Sequence, residues 1–410
     1  MRRPVVVVAA SALVTLGCVE EQQLFDIELQ VRQADGVDAA VILENTPAAD
    51  GDALGLSFNY VDDLGNDNGG DPRDGKRLPF DAAATSASFS LLAFLDAVPT
   101  ARGATAFLPL PSAGDVFAVP MLLATVDVGA LDSLPPAIGA DACYSADEQG
   151  RLFVVGGSTG NQSGYVLNER FVVAGLDGDS FRAVANPGCV AGGGSVVAVG
   201  GDGAGGVATI RQIDADADVV LIPVLPAAEL AGAFAAKAGE DHWLFARNRV
   251  DLLDSAGAPK GSTAGIDVDD LESLTGGDAL VLTVAGDLLL FEQSKLGIPT
   301  NLGPADAIGR RFADVVALRG SELLLIAGPN PEVLRSDVDV DVGASVVSFT
   351  VLSDDSVAAL VGDRLIVDRI EGASVTKVLP RPRTHVSAIP GDTLVLAGGD
   401  GDGLDAISLP

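Results

Sequence analysis

Three observations in the amino-acid sequence predict an all-β protein, a β-propeller preceded by a small β-sandwich. Candidate elements are short runs of Val, Leu, Ala or Ile, about four to eight residues long, bounded by Gly, Asp, Pro or Asn. Long helical periodicity is absent. From near residue 142 to the end of the chain a strand, turn, strand pattern recurs, and a repeat of ~40 to 50 residues is the spacing of propeller blades.

The chain begins Met1-Arg2-Arg3, a basic start, followed over residues 5–16 by an apolar run too short for a stable transmembrane helix. This is the pattern of a signal peptide. The segment Val14-Thr15-Leu16-Gly17-Cys18 resembles a bacterial lipobox, in which the cysteine becomes the first mature residue and takes a diacylglycerol. Thr15 departs from the Leu usual at that place. The resemblance implies a signal peptide over 1–17, a lipidated Cys18 with a linker over 18–23, and membrane attachment through the lipid. Val19 replaces the Asp that retains enteric-type lipoproteins at the inner membrane, which implies the outer membrane, on either face.

Residues 24–113 carry about five strand candidates, at 25–31, 37–43, 54–61, 86–95 and 105–110. Phe58, Phe89 and Phe94 are available for a small core. An immunoglobulin-like sandwich fits this number of strands, with an extended stalk of hairpins as the alternative.

The remainder, 114–410, holds the repeats. Ala142-Cys143-Tyr144-Ser145-Ala146, a turn and Leu152-Phe153-Val154-Val155-Gly156-Gly157 align with Gly188-Cys189-Val190-Ala191, a Gly-rich turn and Val196-Val197-Ala198-Val199-Gly200-Gly201. A third copy is His385-Val386-Ser387-Ala388, Pro390-Gly391-Asp392 and Leu394-Val395-Leu396-Ala397-Gly398-Gly399. A Gly pair suits a strand end where the backbone turns and packs at a distance a Cβ would obstruct. These copies, with Arg383-Thr384-His385 leading into the last, resemble the kelch repeat, in which a hydrophobic second strand ends in Gly-Gly. The Tyr and Trp of kelch outer strands are mostly lacking. Weaker units pair 233–238 with 243–247, 271–275 with 280–284, 315–318 with 323–328, and 348–352 with 357–361. Starts near 142, 189, 231, 270, 312, 346 and 385 give seven blades, or six if one weak unit is an excursion. The last unit stops after three strands, so an upstream strand must cover its edge. A segment between 116 and 128, specifically 121–128 after Pro120, is the expected donor.

Candidate chemistry is sparse. The formal charge of -32 opposes binding to nucleic acid, while the many Asp-Gly turns account for much of that charge as solvated surface. His242 and His385 fall in different blades, with no clustering of His and Cys at zinc-ligand or nucleophile spacing. One oxygen-rich loop, with Asp62, Asp63, Asn66, Asp67, Asn68 and Asp71, offers ligands for calcium if it curls; otherwise it is a solvated hairpin tip. In EF-hand register its first ligand position falls on Leu64, which cannot coordinate. No other cofactor is implied. With Cys18 lipidated, Cys143 and Cys189 are the two remaining thiols of an exported chain, and their matching offsets in consecutive repeats make them disulfide candidates. By fold analogy the expected function is non-catalytic binding of a protein or glycan outside the cytoplasm. The alternative is a lyase or hydrolase acting on glycans through carboxylates at the propeller funnel.

Overall fold

The computed structural model describes residues 22–33, 54–62, 64, 66–70, 78–95, 98–105, 107–112, 115–124, 128–130, 143–147, 151–155, 164–167, 173–175, 182–183, 189–192, 195–201, 207–214, 219–226, 233–295, 298–340, 346–380, 382–389, 394–399 and 404–409. The leader with Cys18 and the expected strand at 37–43 lie outside them.

The N-terminal sheet contains β1 (Gln22–Gln33), β2 (Leu54–Asp62), β3 (Asp67–Gly70), β4 (Leu78–Asp81), β5 (Ser86–Leu95), β6 (Val98–Ala104), β7 (Leu108–Pro109) and β8 (Val116–Ala124). Its strand order is β3-β2-β5-β6-β8-β1-β4, with β7 beside β5. The long β1 changes partners along its length: Gln22 to Phe25 pair antiparallel with β4, and Asp26 to Gln33 run parallel to β8. A strand shared in this way lets one hydrogen-bonded path fold over itself and bury a face. The rings show the fold-over. Tyr60 on β2 faces Phe89 on the neighbouring β5 across 6.1 Å, and Phe80 on β4, at the opposite end of the path, comes within 4.4 Å of Tyr60 and 6.2 Å of Phe89. All three side chains are fully buried. The sandwich expected from the sequence is thus a single path bent at β1.

Beyond β9 (Val128–Ala130), the described strands fall into seven units of a β-propeller. They cover residues 143–175, 182–226, 234–264, 268–304, 307–335, 348–378 and 385–408. In the second, the inner strand is split, because Arg182–Ala183 and Cys189–Gly192 pair with different parts of Ser195–Gly201. The fifth and sixth join through one parallel pairing of their inner strands, Arg310 with Thr350. Each inner strand lies against the next, and His385–Ala388 returns to Cys143–Ala146, so the ring closes. Neighbouring sheets share apolar cores, such as Leu280, Leu288, Ile308 and Val315 between the fourth and fifth units, and Val316, Leu318, Phe349 and Val357 between the fifth and sixth.

Three expectations are corrected. The last unit is completed from upstream, but by β9 rather than by residues 121–128: Val128, Gly129 and Ala130 pair with Ile407, Ala406 and Asp405. Residues 116–124 form β8, between β1 and β6 in the N-terminal sheet, which therefore extends past the expected boundary at 113. In the fifth unit the inner strand is Ala307–Arg311, and Val315 to Leu318 belong to the second strand, Asp314–Arg319. Arg310 and Arg311 interrupt the apolar pattern of the true inner strand, which displaced the reading to the next apolar run.

The Gly pair of the last unit has the tight packing its sequence suggests. A Cβ on Gly398 would lie 2.5 Å from Cε1 of Tyr144 in the first unit, and Gly399, at φ +103°, would drive one into Thr384. Arg383 is buried in front of it, donating from Nε to Asp405 Oδ2 at 2.8 Å and from Nη1 to the Gly399 carbonyl at 2.8 Å. The lead-in is thereby tied to both the second and third strands of its own blade.

Candidate functional site

Inner strands converging on an axis bring their polar groups within reach of one another. Hydroxyls make the cross-links. Ser145 Oγ accepts from Ala191 N at 2.8 Å, Ser348 Oγ accepts from Val386 N at 3.3 Å, and Ser273 Oγ donates to the Lys237 carbonyl at 3.3 Å. Thr350 Oγ1 donates to the Arg310 carbonyl and accepts from Ala388 N, both at 3.2 Å, so one side chain links three strands. Between the first two units the link is covalent. Cys143 and Cys189 form a disulfide with their Cα atoms 5.9 Å apart, as their matching repeat positions predict.

Arg310 crosses this region. Its Nε donates to Glu272 Oε2 at 2.8 Å, and its Nη2 donates at 2.9 Å to the carbonyls of Ser273 and of Ala191. The guanidinium thus ties the fifth unit to the fourth and second. A cavity of about 80 Å³ remains at the axis, with Tyr144, Asp270, Glu272, Arg310, Phe312 and His385 in its wall.

The cavity holds groups in unusual protonation states. Asp270 and Glu272 stand two residues apart on the inner strand Val268–Ser273, which places both on one face. Burial, reinforced by the Glu272 charge, pushes the Asp270 carboxyl up to about 8, against the single hydrogen bond it accepts from Leu271 N. Burial also raises Glu272, and the Arg310 guanidinium opposes that rise. His385 is pushed down to about 4 by burial. Its ring stacks on Tyr144, centroids 6.2 Å apart, and its buried Nε2 has no hydrogen-bond partner among the described residues. Near neutral pH the wall therefore presents a protonated carboxyl, a neutral imidazole and an Arg–Glu ion pair.

A wider recess of about 580 Å³ opens at the ends of three inner strands, between the turns of the third, fourth and fifth units. Lys237, Glu240, Thr275, Gly277 and Ala313 surround it, and Arg310 contributes to this recess as well as to the axial cavity. The arginine therefore borders both spaces. The fifth unit's turn carries a strained aromatic beside this mouth. Phe312 has φ 51°, a left-handed conformation that the corresponding turns of the third and sixth units assign to Gly239 and Asp355. Its ring meets Phe107 of the N-terminal region edge-on at 6.1 Å, which docks that region at the rim.

The other candidate residues lie elsewhere. Cys18 is outside the described residues, as are Asp63 and Asp71. Asp62 is buried, and its carboxylate closes its own turn: Oδ1 accepts from Leu64 N at 3.1 Å and Asn66 N at 2.8 Å, while Oδ2 accepts from Asn66 Nδ2 at 2.9 Å. Asp67 and Asn68 belong to β3, opposite Val61 and Tyr60. Among the described residues no group of three His, Cys, Asp or Glu is arranged to hold a metal ion. His242 sits between units, 3.1 Å from Gln212 Oε1 through Nε2, and its pKa is lowered mainly by burial. Asp270, Glu272 and Arg310 were not singled out in the sequence. Acidic residues are too numerous there to rank, and the only signal was a basic pair interrupting an apolar strand.

No protein-family model and no curated protein matches the chain. Among solved structures it is similar to YCF48 bound to D1 peptide, at 13% identity over 68% of this chain and 95% of that one, with a TM-score of 0.45. It is also similar to virginiamycin B lyase from Staphylococcus aureus, at 10% identity over 67% of this chain and 98% of that one, TM-score 0.47. A chain of the mitotic checkpoint complex matches at 11% identity over 69% of this chain and 93% of its own length, TM-score 0.48.

Two expected outcomes follow from this geometry. Replacing both cysteines by Ser opens a covalent link spanning 46 residues and should cost about 4 kcal/mol in the chain-entropy model. Urea unfolding of oxidised wild type and double variant measures it, and equal midpoints would contradict it. The second outcome concerns pH. Folded Asp270 keeps its proton up to about 8, whereas an unfolded Asp loses it near 3.8, so its contribution to stability falls as pH rises through that window. Folded His385 stays neutral down to about 4 while the unfolded ring gains a proton near 6.5, so its contribution rises with pH across that interval. The slopes oppose each other at acid pH, and the Asp270 slope alone persists above 6.5. Asp270→Asn should therefore stabilise the protein more at pH 8 than at pH 6, by about 1.4 kcal/mol per pH unit at most. His385→Gln should gain more at pH 4.5 than at pH 7. Effects that do not vary with pH would refute both assignments.

Proposed function

We propose that this chain is a bacterial cell-envelope lipoprotein, anchored at the outer membrane through Cys18, whose seven-bladed, kelch-like propeller binds a protein or glycan partner outside the cytoplasm. The lipobox-like segment and the absence of Asp at position 19 support the address. The recess of about 580 Å³ at the turn face carries the binding reading, because it lies within the ~300 to 1,000 Å³ range of ligand pockets and is bounded by loops. The axial cavity beneath it measures about 80 Å³, below the size of such pockets. Asp270 and Glu272 supply the pair of carboxylates that a glycan-cleaving enzyme would need, and the raised pKa of Asp270 suits an acid. They face that small space, however, and Glu272 is engaged by Arg310. Binding at the mouth is the function that this geometry serves.

Two measurements test the proposal. Labelled palmitate should enter the wild-type protein in its native membrane and be lost in Cys18→Ser; equal labelling would remove the anchor from the reading. For the binding face, soluble protein lacking the lipid is used to capture partners from the native envelope, alongside Thr275→Trp, which fills the recess from an exposed turn. The partner retained by wild type should be lost by the variant. Identical capture by both, or capture by neither, would overturn the assignment of the mouth.

A further inference from the structure

We infer that the recess recognises a peptide segment through a single carboxylate, held between Lys237 and Arg310; this rests on the mouth being the binding face. The protein carries a formal charge of -32, yet two cations and one carboxylate, Glu240, line this recess. Lys237 lies near the end of the inner strand Phe234–Ala238, half-buried, opposite His242. Its ammonium has no ion-pair or hydrogen-bond partner among the described residues, although other partly buried cations among them have one: Arg310 reaches Glu272, Arg311 reaches Asp355 and Arg335 reaches Asp368. A half-buried, unpaired ammonium in a concave site is an electrostatic vacancy for an anion. The Arg310 guanidinium at the floor is fixed in place by Glu272, Ser273 and Ala191, so it is already oriented before a ligand arrives.

The form of the anion follows from the surroundings. The surplus negative charge of the whole molecule repels a polyanion at long range, which disfavours nucleic acid and sulfated glycans and leaves a lone carboxylate as the fitting group. Among the described residues the recess wall contains no aromatic side chain on which a sugar ring could stack. It presents instead the exposed turn backbone at Gly239 and Gly276, both at positive φ, and the Thr275 hydroxyl. Exposed peptide groups beside a carboxylate-sized cationic spot suit a peptide carrying Glu or Asp. Glu240 lies on the rim and repels the same charge. The two residues therefore have opposite effects, and this gives the proposal its test.

The probe is the blocked tripeptide acetyl-Gly-Glu-Gly-amide, titrated into the soluble chain from residue 19 onward and followed by protein NMR shifts at low salt. Its Gln counterpart and methyl glucuronide serve as comparisons. The Glu peptide should bind saturably and about tenfold more tightly than the Gln peptide. Lys237→Met should remove that advantage, Lys237→Arg should retain it, and Glu240→Gln should strengthen binding. Equal binding of Glu and Gln peptides, no binding of either, insensitivity to Lys237→Met, or tighter binding of the glucuronide would each overturn the inference. Loss of envelope partners in Thr275→Trp with no peptide preference would refute the carboxylate alone. A Glu preference at Lys237 with no partner captured at the mouth would refute the proposed binding role and leave the recognition chemistry standing.

Discussion

A propeller ring is fastened shut when its last sheet is completed by a strand from the start of the array, and here three residues provide it. Val128, Gly129 and Ala130 lie against Asp405 to Ile407, forming the outer strand of a unit whose other strands come from the end of the chain. The joint fastens the two ends of the propeller across nearly the whole repeat array. It also fixes the N-terminal region in space. Only residues 125–127 separate β8 from β9, so the end of β8 lies within about 14 Å of the blade that β9 completes. The edge contact of Phe107 with Phe312 then gives a second point of attachment, on the turn of the fifth unit.

Closure forces the inner strands together and creates the second constraint, which is polar. Backbone groups near the axis are remote from bulk water and must be satisfied locally. Ser145, Ser273, Ser348 and Thr350 do this with short side chains that reach one neighbouring strand, or two in the case of Thr350. Arg310 does it over a longer distance. Its contact with Ala191 spans units that are not adjacent, and its pairing with Glu272 opposes the rise that burial imposes on that carboxyl, while nearby Asp270 retains its proton. Removing one partner of such a buried pair costs about 3 to 5 kcal/mol, because the other charge is left uncompensated. The same argument applies to Arg383 and Asp405, which are buried together within the closing blade.

The architecture was legible because its signals are local. Strand, turn and Gly-Gly copies repeat often enough to align, and the alignment placed Cys143 and Cys189 on neighbouring inner strands, where they bond. The errors occurred where tertiary context overrides a local pattern. A strand within 116–128, specifically 121–128, reads as the completion of the three-stranded last unit, but residues 116–124 pair with β1 and β6, a choice made by contacts that sequence spacing does not encode. The fifth unit was misregistered because Arg310 and Arg311 break the apolar run that marks the other inner strands, and Arg310 is there to serve the axis. The axial site was illegible for a related reason. Asp270 differs from the other acidic residues of the chain only in what surrounds it after folding.

The division between the two spaces gives the molecule its functional logic. Below Arg310, a small cavity holds a proton on Asp270 and a neutral His385, both unfavourable to ionise there and both far from their usual pKa values. Above it, glycine turns and an unpaired lysine face outward. Arg310 belongs to both, and its carboxylate partner lies on the inner side. An anion arriving at the mouth would therefore compete with Glu272 for a guanidinium that the backbone carbonyls of Ser273 and Ala191 hold still. Because those carbonyls fix its position, the arginine can share its charge with a second carboxylate without moving. In the proposed binding role, the interaction that satisfies the axis of the propeller is thus also the one that prepares its open face for a ligand.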